Sequence, residues 1–240
     1  MKFFRIIAYC FIVAGLLSCT KHTTEAPPDL GYDYYPAKIK SYVIYDVDSI
    51  VYQQIPNLDT LKFKFQIKEK FDTLFTDNQG RPTVKIIRYK KIYSQTIPYS
   101  QMSWTLQDVW MANKSKTDVE VVEENIRYTK LAFPAKLNGT WNGTAHADTN
   151  AVNTYTYTVY DAPSSYGNLS FQKTLTVSQL SSGSVVIVYQ NYNEKYARGV
   201  GLIYKEITNY NYQDSQGNFI PGHIYEGIHY VMTINFYGIE

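Results

Sequence analysis

Cysteine is almost absent from this chain, and this limits how its folded part can be stabilised. The 240 residues include two cysteines, Cys10 and Cys19, and no cysteine follows. A disulfide framework and a cysteine-ligated metal are therefore excluded after residue 19. The folded part must be stabilised by its core.

Long apolar runs and an excess of charge are lacking too. After residue 17 no stretch reaches the ~18 apolar residues that a membrane-spanning helix requires. Lys and Arg number 23 against 21 Asp and Glu, and setting aside Lys2 and Arg5 leaves a neutral chain. Because nucleic-acid binding depends on phosphate neutralisation, this balance predicts no nucleic-acid partner.

Catalytic and metal-binding motifs are missing as well. There is no Gly-x-Ser-x-Gly elbow, no His-Glu-x-x-His, no phosphate-binding glycine loop and no Asp-rich calcium loop. His146, His223 and His229 have no zinc-site spacing, and we interpret them as isolated surface residues. The sequence therefore predicts no catalytic residue, no metal site and no cofactor.

The amino terminus has the pattern of an export signal. Lys2 and Arg5 precede an apolar run at residues 6–17 that is too short to span a bilayer permanently. The run ends in Leu16-Leu17-Ser18-Cys19, which resembles the lipobox of bacterial lipoproteins. This resemblance implies cleavage between Ser18 and Cys19 and acylation of Cys19. The alternatives are an ordinary signal peptide with a chance cysteine and an uncleaved anchor.

Three regions follow from this reading. Residues 1–18 are predicted to be a helical signal peptide, and residues 19–33 the lipidated cysteine and a flexible tether, because residues 20–31 are polar with a Pro pair. Residues 34–240 are predicted to form a β-domain.

The composition and the periodicity of the rest of the chain indicate strands. Tyrosine alone supplies 24 residues, and tyrosine favours strands. Apolar and polar residues alternate at 61–68, 154–160 and 228–236, with turn-like segments at 77–80, 181–183 and 214–218. Residues 117–131 fit neither period cleanly, and we interpret them as strand. We predict an antiparallel meander that forms a barrel or a strongly curved half-barrel.

Two short segments are similar to each other. Tyr35-Pro36-Ala37-Lys38-Ile39 and Phe133-Pro134-Ala135-Lys136-Leu137 each precede a predicted strand. The similarity favours two related halves, 34–132 and 133–240, although chance similarity between two strand starts is the alternative.

Several segments together resemble a group of Bacteroidota outer-membrane lipoproteins of uncharacterised activity. They are residues 34–36 with 45–50, residues 130–134 with 139–143, and a late hairpin, Tyr196-Ala197-Arg198-Gly199-Val200-Gly201-Leu202-Ile203-Tyr204-Lys205-Glu206. The resemblance implies a β fold and a location in the cell envelope, on the periplasmic or the outer face of the outer membrane. It implies no activity.

The late hairpin has a functional and a structural interpretation. Arg198 beside Gly199 could bind an anion through its guanidinium group and nearby backbone donors. Alternatively, Gly199 and Gly201 let a strand bend while Tyr196 and its neighbours form an apolar face. We favour the structural interpretation.

Other residues suggest sites more weakly. Ser49, Thr60 and Thr73 lie in Asp-Ser/Thr-aliphatic triplets that look like Bacteroidota O-glycosylation acceptors, but common strand-edge composition also explains them. The remaining candidates are a tryptophan-lined pocket, an acidic pair for hydrolysis and turn serines as nucleophiles. Their residues are Trp104, Trp110 and Trp141; Asp118, Glu120, Glu123 and Glu124; and Ser182 and Ser184. We interpret these as core or sheet surface, a solvated strand face and a turn, respectively.

The leading functional hypothesis is a non-enzymatic binding module, anchored to a membrane through Cys19. Its ligand would be a hydrophobic molecule, a glycan or a partner protein. A structural or assembly subunit that docks on another envelope protein is the alternative, and a hydrolase comes third.

Acylation of Cys19 is directly testable. We expect mass spectrometry of the protein from its native membrane to show a chain that begins at Cys19 and carries two or three acyl chains, because one chain gives only marginal anchoring. A Cys19→Ser variant should lose the acyl mass. Cys10→Ser is the matched control and should leave the mature mass unchanged; a mature terminus elsewhere would contradict the prediction.

Overall fold

The computed structural model of the protein describes residues 27–53, 59–147, 152–182 and 187–240. The predicted signal peptide, the cleavage site at Ser18 and Cys19, and the first part of the predicted tether lie outside these residues. Ser184 and the side chain of Ser182 lie outside them as well.

Twelve β-strands make up most of the described chain. They are β1 Ser41–Gln53, β2 Asp59–Thr76, β3 Pro82–Ile92, β4 Thr105–Lys114, β5 Asp118–Glu123, β6 Ile126–Ala132, β7 Thr140–Asn142, β8 Thr154–Tyr166, β9 Leu169–Ser182, β10 Val188–Ala197, β11 Gly201–Asn211 and β12 Glu226–Ile239. Two 3-10 turns, Tyr32–Tyr34 and Tyr99–Gln101, also occur. None of the described residues belongs to a helix that could cross a membrane. The predicted all-β class is confirmed.

The strands form one antiparallel meander. Each strand pairs with its neighbours in sequence, except that β6 and β7 are the two edges, while β1 and β12 pair with each other. Across the edges, Thr129 N donates a hydrogen bond to Gly143 O at 2.9 Å, and Trp141 Nε1 donates to Thr129 O at 2.8 Å. The sheet is therefore a nearly closed barrel, as predicted.

Alternation along the strands decides which side chains face inward. In β1, Val43, Tyr45 and Val47 are buried, whereas Asp46 and Asp48 point to the other face. Burying the apolar set removes its surface from water, which contributes about 25 cal/mol per Å². A shift of one residue in strand pairing would turn these apolar side chains outward, so their burial fixes the register of β1 against its neighbours.

The segment 117–131 is strand, as predicted, but it contains two strands. β5 and β6 are joined by a two-residue turn at Glu124 and Asn125, whose φ values are 53° and 65°. Positive φ at both positions is the geometry of tight hairpins. The unclear periodicity arose because the segment includes a turn.

Because the strands are antiparallel, their connections fall at two ends of the barrel. The plugged end, as we call it, carries the turns at 77–81, 115–117, 133–139 and 198–200, and the segment before β1. The open end carries the connections that include residues 93–104, 124–125, 143–147 and 212–225.

The segment before β1 fills the plugged end. Tyr34 and Tyr35 are buried there, with 0 % and 6 % exposed. Asp33 O accepts a hydrogen bond from Gly199 N at 2.8 Å. The flexible tether predicted at 19–33 therefore needs correction, because its last residues are docked on the barrel through contacts that composition does not show.

The two similar segments adopt the same turn. Ser41 N donates to Lys38 O at 3.1 Å, and Gly139 N donates to Lys136 O at 3.0 Å. The residue before each donor has a positive φ, 70° and 61° respectively. The segments share this turn but differ before it, since the Phe133–Pro134 peptide bond is cis and Ala37, unlike Ala135, has a positive φ of 48°.

Each turn is also attached to its barrel half in the same way. Lys40 N donates to Phe71 O of β2 at 2.7 Å, and Asn138 N donates to Tyr157 O of β8 at 2.9 Å. The boundary predicted after residue 132 leaves six strands on each side. A common origin of the halves stays a prediction.

The seam between the edges gives a stability prediction. Tyr157 donates its hydroxyl hydrogen to Ala132 O at 2.7 Å and accepts from Ala132 N at 2.9 Å. Tyr157→Phe leaves both backbone groups unpaired, which should cost about 1–3 kcal/mol in the free energy of unfolding in urea.

Tyr155→Phe is the matched control. Tyr155 also points inward, but its hydroxyl makes no hydrogen bond within the described ranges, so we expect a change within about 0.5 kcal/mol. Equal losses in the two variants would contradict the role of the Tyr157 hydroxyl at the seam.

Candidate functional site

A cavity of about 450 Å³ lies toward the open end of the barrel. Its walls come from β5, β6, β8, β9, β10 and β11 and from the connection after β7. The lining residues are Glu123, Ile126, Tyr128, Lys130, Thr144, Ala147, Asn153, Tyr155, Gln179, Leu180, Tyr192, Lys205 and Ile207. The volume falls within the range of roughly 300–1,000 Å³ that is typical of small-molecule sites.

Two lysines and two glutamates form a ring of ion pairs at the floor of this cavity. Lys130 Nζ lies 2.7 Å from Glu123 Oε1 and 2.9 Å from Glu194 Oε1. Lys205 Nζ lies 3.3 Å from Glu123 Oε2 and 3.2 Å from Glu194 Oε1. Each lysine contacts both carboxylates, and we call these four residues the ion quartet.

Strand register and barrel closure together assemble the ion quartet. Glu194 and Lys205 are direct partners across β10 and β11. Glu123 ends β5 and Lys130 lies in β6, on the other side of the seam. The quartet therefore connects the two sides of the barrel through its interior.

Opposite charges within the quartet outweigh the effect of burial. Desolvation raises the pKa of Glu194, but the charges of Lys130 and Lys205 lower it by more. The resulting pKa is about 2. The pKa of Glu123 is lowered by the same two lysines against desolvation. Desolvation lowers the pKa of each lysine, and the carboxylates raise it above its ordinary value. All four groups are charged at neutral pH.

Gln179 presents an unpaired donor to the cavity. Its side chain is 7 % exposed, and its Nε2 has no hydrogen-bond partner among the residues that the structure describes. An unsatisfied buried amide costs about 1–3 kcal/mol. A ligand oxygen in the cavity that accepts from Gln179 would remove this cost.

Below the quartet the interior is filled. The space between the quartet and the plugged end is about 30 Å³, which is about the volume of one water molecule. Arg88 pairs with Glu69 at 3.0 Å, and its guanidinium carbon lies 3.6 Å from the centre of the Trp110 ring. Desolvation raises the pKa of Glu69, and the charge of Arg88 opposes it. A long apolar ligand has no room there.

The late hairpin holds the plugged end together. Arg198 Nη1 lies 2.6 Å from Asp33 Oδ1, Nη2 lies 2.7 Å from Asp29 Oδ2, and Nε donates to Asp161 Oδ1 at 2.9 Å. All three guanidinium nitrogens are thus engaged within the protein. These contacts favour the structural interpretation over the binding of an external anion.

The other predicted hairpin residues fit this arrangement. Tyr196 faces inward, and its hydroxyl donates to Glu194 Oε2 at 2.6 Å. Gly199 and Gly201 have backbone φ values of 74° and 102°, which residues other than glycine rarely adopt.

The predicted glycosylation sites differ in exposure. Thr60 and Thr73 are exposed in β2, and their modification stays a prediction. Ser49 is 6 % exposed in β1. Its hydroxyl points inward in the folded chain, which argues against modification after folding, and its modification stays a prediction.

None of the tryptophans lines the cavity. Trp110 lies under Arg88, Trp141 lies at the seam, and Trp104 contacts Lys91, whose Nζ is 4.3 Å from the ring centre. The cavity aromatics are Tyr128, Tyr155 and Tyr192 instead. Nothing in the local sequence distinguishes these from the other tyrosines.

The acidic cluster is not the solvated strand face that we expected. Glu120 is 7 % exposed and pairs with Arg81 at 2.9 Å and Arg127 at 2.7 Å, while Glu123 joins the ion quartet. His146 is not isolated either, since its Nε2 lies 3.0 Å from Glu120 Oε1. Each of these carboxylates forms ion pairs with basic residues of other chain segments.

The described residues contain no group of three His, Cys, Asp or Glu side chains arranged to hold a metal ion. Comparisons with models of protein families, with curated proteins and with solved structures found no match to this chain. The cavity and its chemistry must therefore be interpreted from the residues themselves.

The ion quartet gives a prediction with a pH signature. Glu194→Gln leaves two buried lysines sharing Glu123, which should destabilise the protein by about 3–5 kcal/mol at pH 7. Because the folded-state pKa of Glu194 is lowered, its contribution is full above its ordinary pKa of 4.5 and is lost as pH falls toward about 2. The stability difference between wild type and variant should therefore shrink over this interval in urea unfolding.

Asp48→Asn provides the control. Asp48 pairs with Lys64 at 3.2 Å, and both side chains are more than half exposed. We expect a loss of at most about 1 kcal/mol, since solvent screens such pairs. A Glu194→Gln variant as stable as this control would show that the quartet contributes little.

Proposed function

We propose that the protein is a lipid-anchored, non-enzymatic binding module that holds a short, hydroxyl-rich ligand such as a glycan in the cavity at the open end. The observation that carries this proposal is the buried, unpaired Nε2 of Gln179 beside a cavity with a charged floor. The anchor is the predicted acyl group on Cys19.

The floor of the cavity favours a polar ligand over a hydrophobic one. An apolar group seated on Lys130, Lys205 and Glu123 would remove water from charged groups without replacing its hydrogen bonds. A ligand with hydroxyl groups can donate to the carboxylate and accept from the lysines and from Gln179. Among the ligands considered, a glycan meets these requirements best.

The walls of the cavity suit a sugar ring. Tyr128, Tyr155 and Tyr192 supply aromatic surface, while Thr144 and Asn153 add polar side chains. Aromatic side chains with a polar tip can contact the apolar face of a ring while their hydroxyls stay hydrated. The combination of aromatic walls and a polar floor supports recognition of a carbohydrate.

The carboxylates of the quartet are poorly suited to glycoside hydrolysis. A hydrolase needs one carboxyl group that stays protonated to act as a general acid. Lys130 and Lys205 instead hold Glu123 and Glu194 ionised, with lowered pKa values. This supports binding without chemistry.

The ends of the barrel are consistent with a ligand that arrives from solvent. The chain enters the barrel at the plugged end, where Tyr34 and Tyr35 are buried. The cavity lies toward the opposite end. A protein anchored through Cys19 would therefore present its cavity away from the bilayer.

An assembly role is the second candidate, and an exposed apolar surface favours it. Ile92 and Leu106 are 70 % and 61 % exposed, and both line a hollow on β3 and β4 together with Met102. Exposed apolar patches commonly mark protein contacts. Association of the purified protein with itself or with envelope proteins would support this role.

Gln179→Leu tests the proposed binding site. We expect the wild-type full chain to bind members of an immobilised panel of mono- and oligosaccharides, and the variant to bind them about tenfold more weakly, because one hydrogen bond is lost. The variant should be as stable as wild type or more stable, because it removes an unsatisfied amide. Calorimetry and urea unfolding measure the two effects.

Thr176→Val is the matched control. Thr176 lies three residues earlier in β9, its hydroxyl is also buried without a partner in the described chain, and it does not line the cavity. It should leave saccharide binding unchanged. If no saccharide binds to the wild type, or if Gln179→Leu binds as tightly as wild type, the proposed glycan site is wrong.

A further inference from the structure

Four exposed lysines surround the point where the chain enters the barrel. They are Lys38, Lys40, Lys116 and Lys136. The segment before β1 contacts the backbone of one of them, since Tyr32 donates its hydroxyl hydrogen to Lys116 O at 3.0 Å. None of the four side chains forms an ion pair with any residue that the structure describes.

Most carboxylates at this end already contact other cations. The pairs are Asp29, Asp33 and Asp161 with Arg198; Asp77 with Arg81; Asp72 with Lys85; and Glu240 with Lys68 and Lys70. Asp118 has no ion pair in the described chain, and Asp29, Asp33 and Asp161 share only Arg198 and Lys173. The four lysines outnumber these two uncompensated negative charges, so a local excess of positive charge remains. An overall balance of charge conceals this local excess.

The position of the chain upstream indicates what faces these lysines. The described chain begins at residue 27, eight residues after Cys19. Eight extended residues reach roughly 25–30 Å at most. An acyl group on Cys19 would keep the plugged end within this distance of a lipid surface.

We propose that the plugged end is a contact surface for anionic lipid headgroups, with the four lysines binding their phosphate groups. This inference rests on the proposed acylation of Cys19. Anionic lipids attract lysines within a Debye length of the surface. Leu137, next to Lys136, is 54 % exposed and adds an apolar side chain that can enter the interface.

The test uses the acylated full chain in two kinds of vesicle, phosphatidylcholine alone and phosphatidylcholine with phosphatidylglycerol. Lysines are acetylated with a water-soluble reagent and quantified by mass spectrometry. Labelling of the four lysines should fall about fivefold on the anionic vesicles at low salt, and the protection should disappear at high salt.

Lys62 and Lys64 are the internal controls. They are exposed near the start of β2, toward the open end, and should be labelled equally on both vesicles. Equal labelling of the four lysines on both vesicles overturns the lipid contact and leaves acylation standing. Absence of an acyl mass on Cys19 overturns the anchor and this inference together. Neither result bears on saccharide binding.

Discussion

The barrel depends on the ring of charges that crosses its interior. Lys130 and Glu123 come from one side of the seam, and Glu194 and Lys205 come from the other. Removing such ions from water costs several kcal/mol each, and this cost is offset only when every charge keeps its partners. The quartet is therefore tolerated in one arrangement of the strands, which makes it a constraint on how the two edges of the sheet meet.

The same constraint determines what the cavity can hold. A twelve-stranded barrel could enclose a wide apolar space, but here tyrosines and Trp110 fill the interior beneath the charges. The remaining volume lies above charged groups that no apolar ligand can satisfy. The charges that connect the two sides of the barrel would thus also favour polar ligands over apolar ones.

The fold was largely predictable from sequence, whereas the cavity was not. Alternation in β1 and β2 reports which side chains face inward, so local sequence was sufficient for an antiparallel meander. Glu123 looked like part of a solvated acidic face, because its partners Lys130 and Lys205 become neighbours only through a hairpin and barrel closure. Nothing in the sequence around Gln179 indicates that its Nε2 lacks a hydrogen-bond partner, because this depends on how the folded chain packs around it.

The two ends of the barrel differ because one segment can fill only one of them. Tyr34 and Tyr35 enter from the side where the chain begins, and Arg198 holds that segment through Asp29 and Asp33. Within the described part of the chain, these two buried tyrosines fill that end, and the cavity lies toward the opposite end. The turn that holds Arg198 therefore helps to close the plugged end, while Lys205 of the same hairpin lines the cavity.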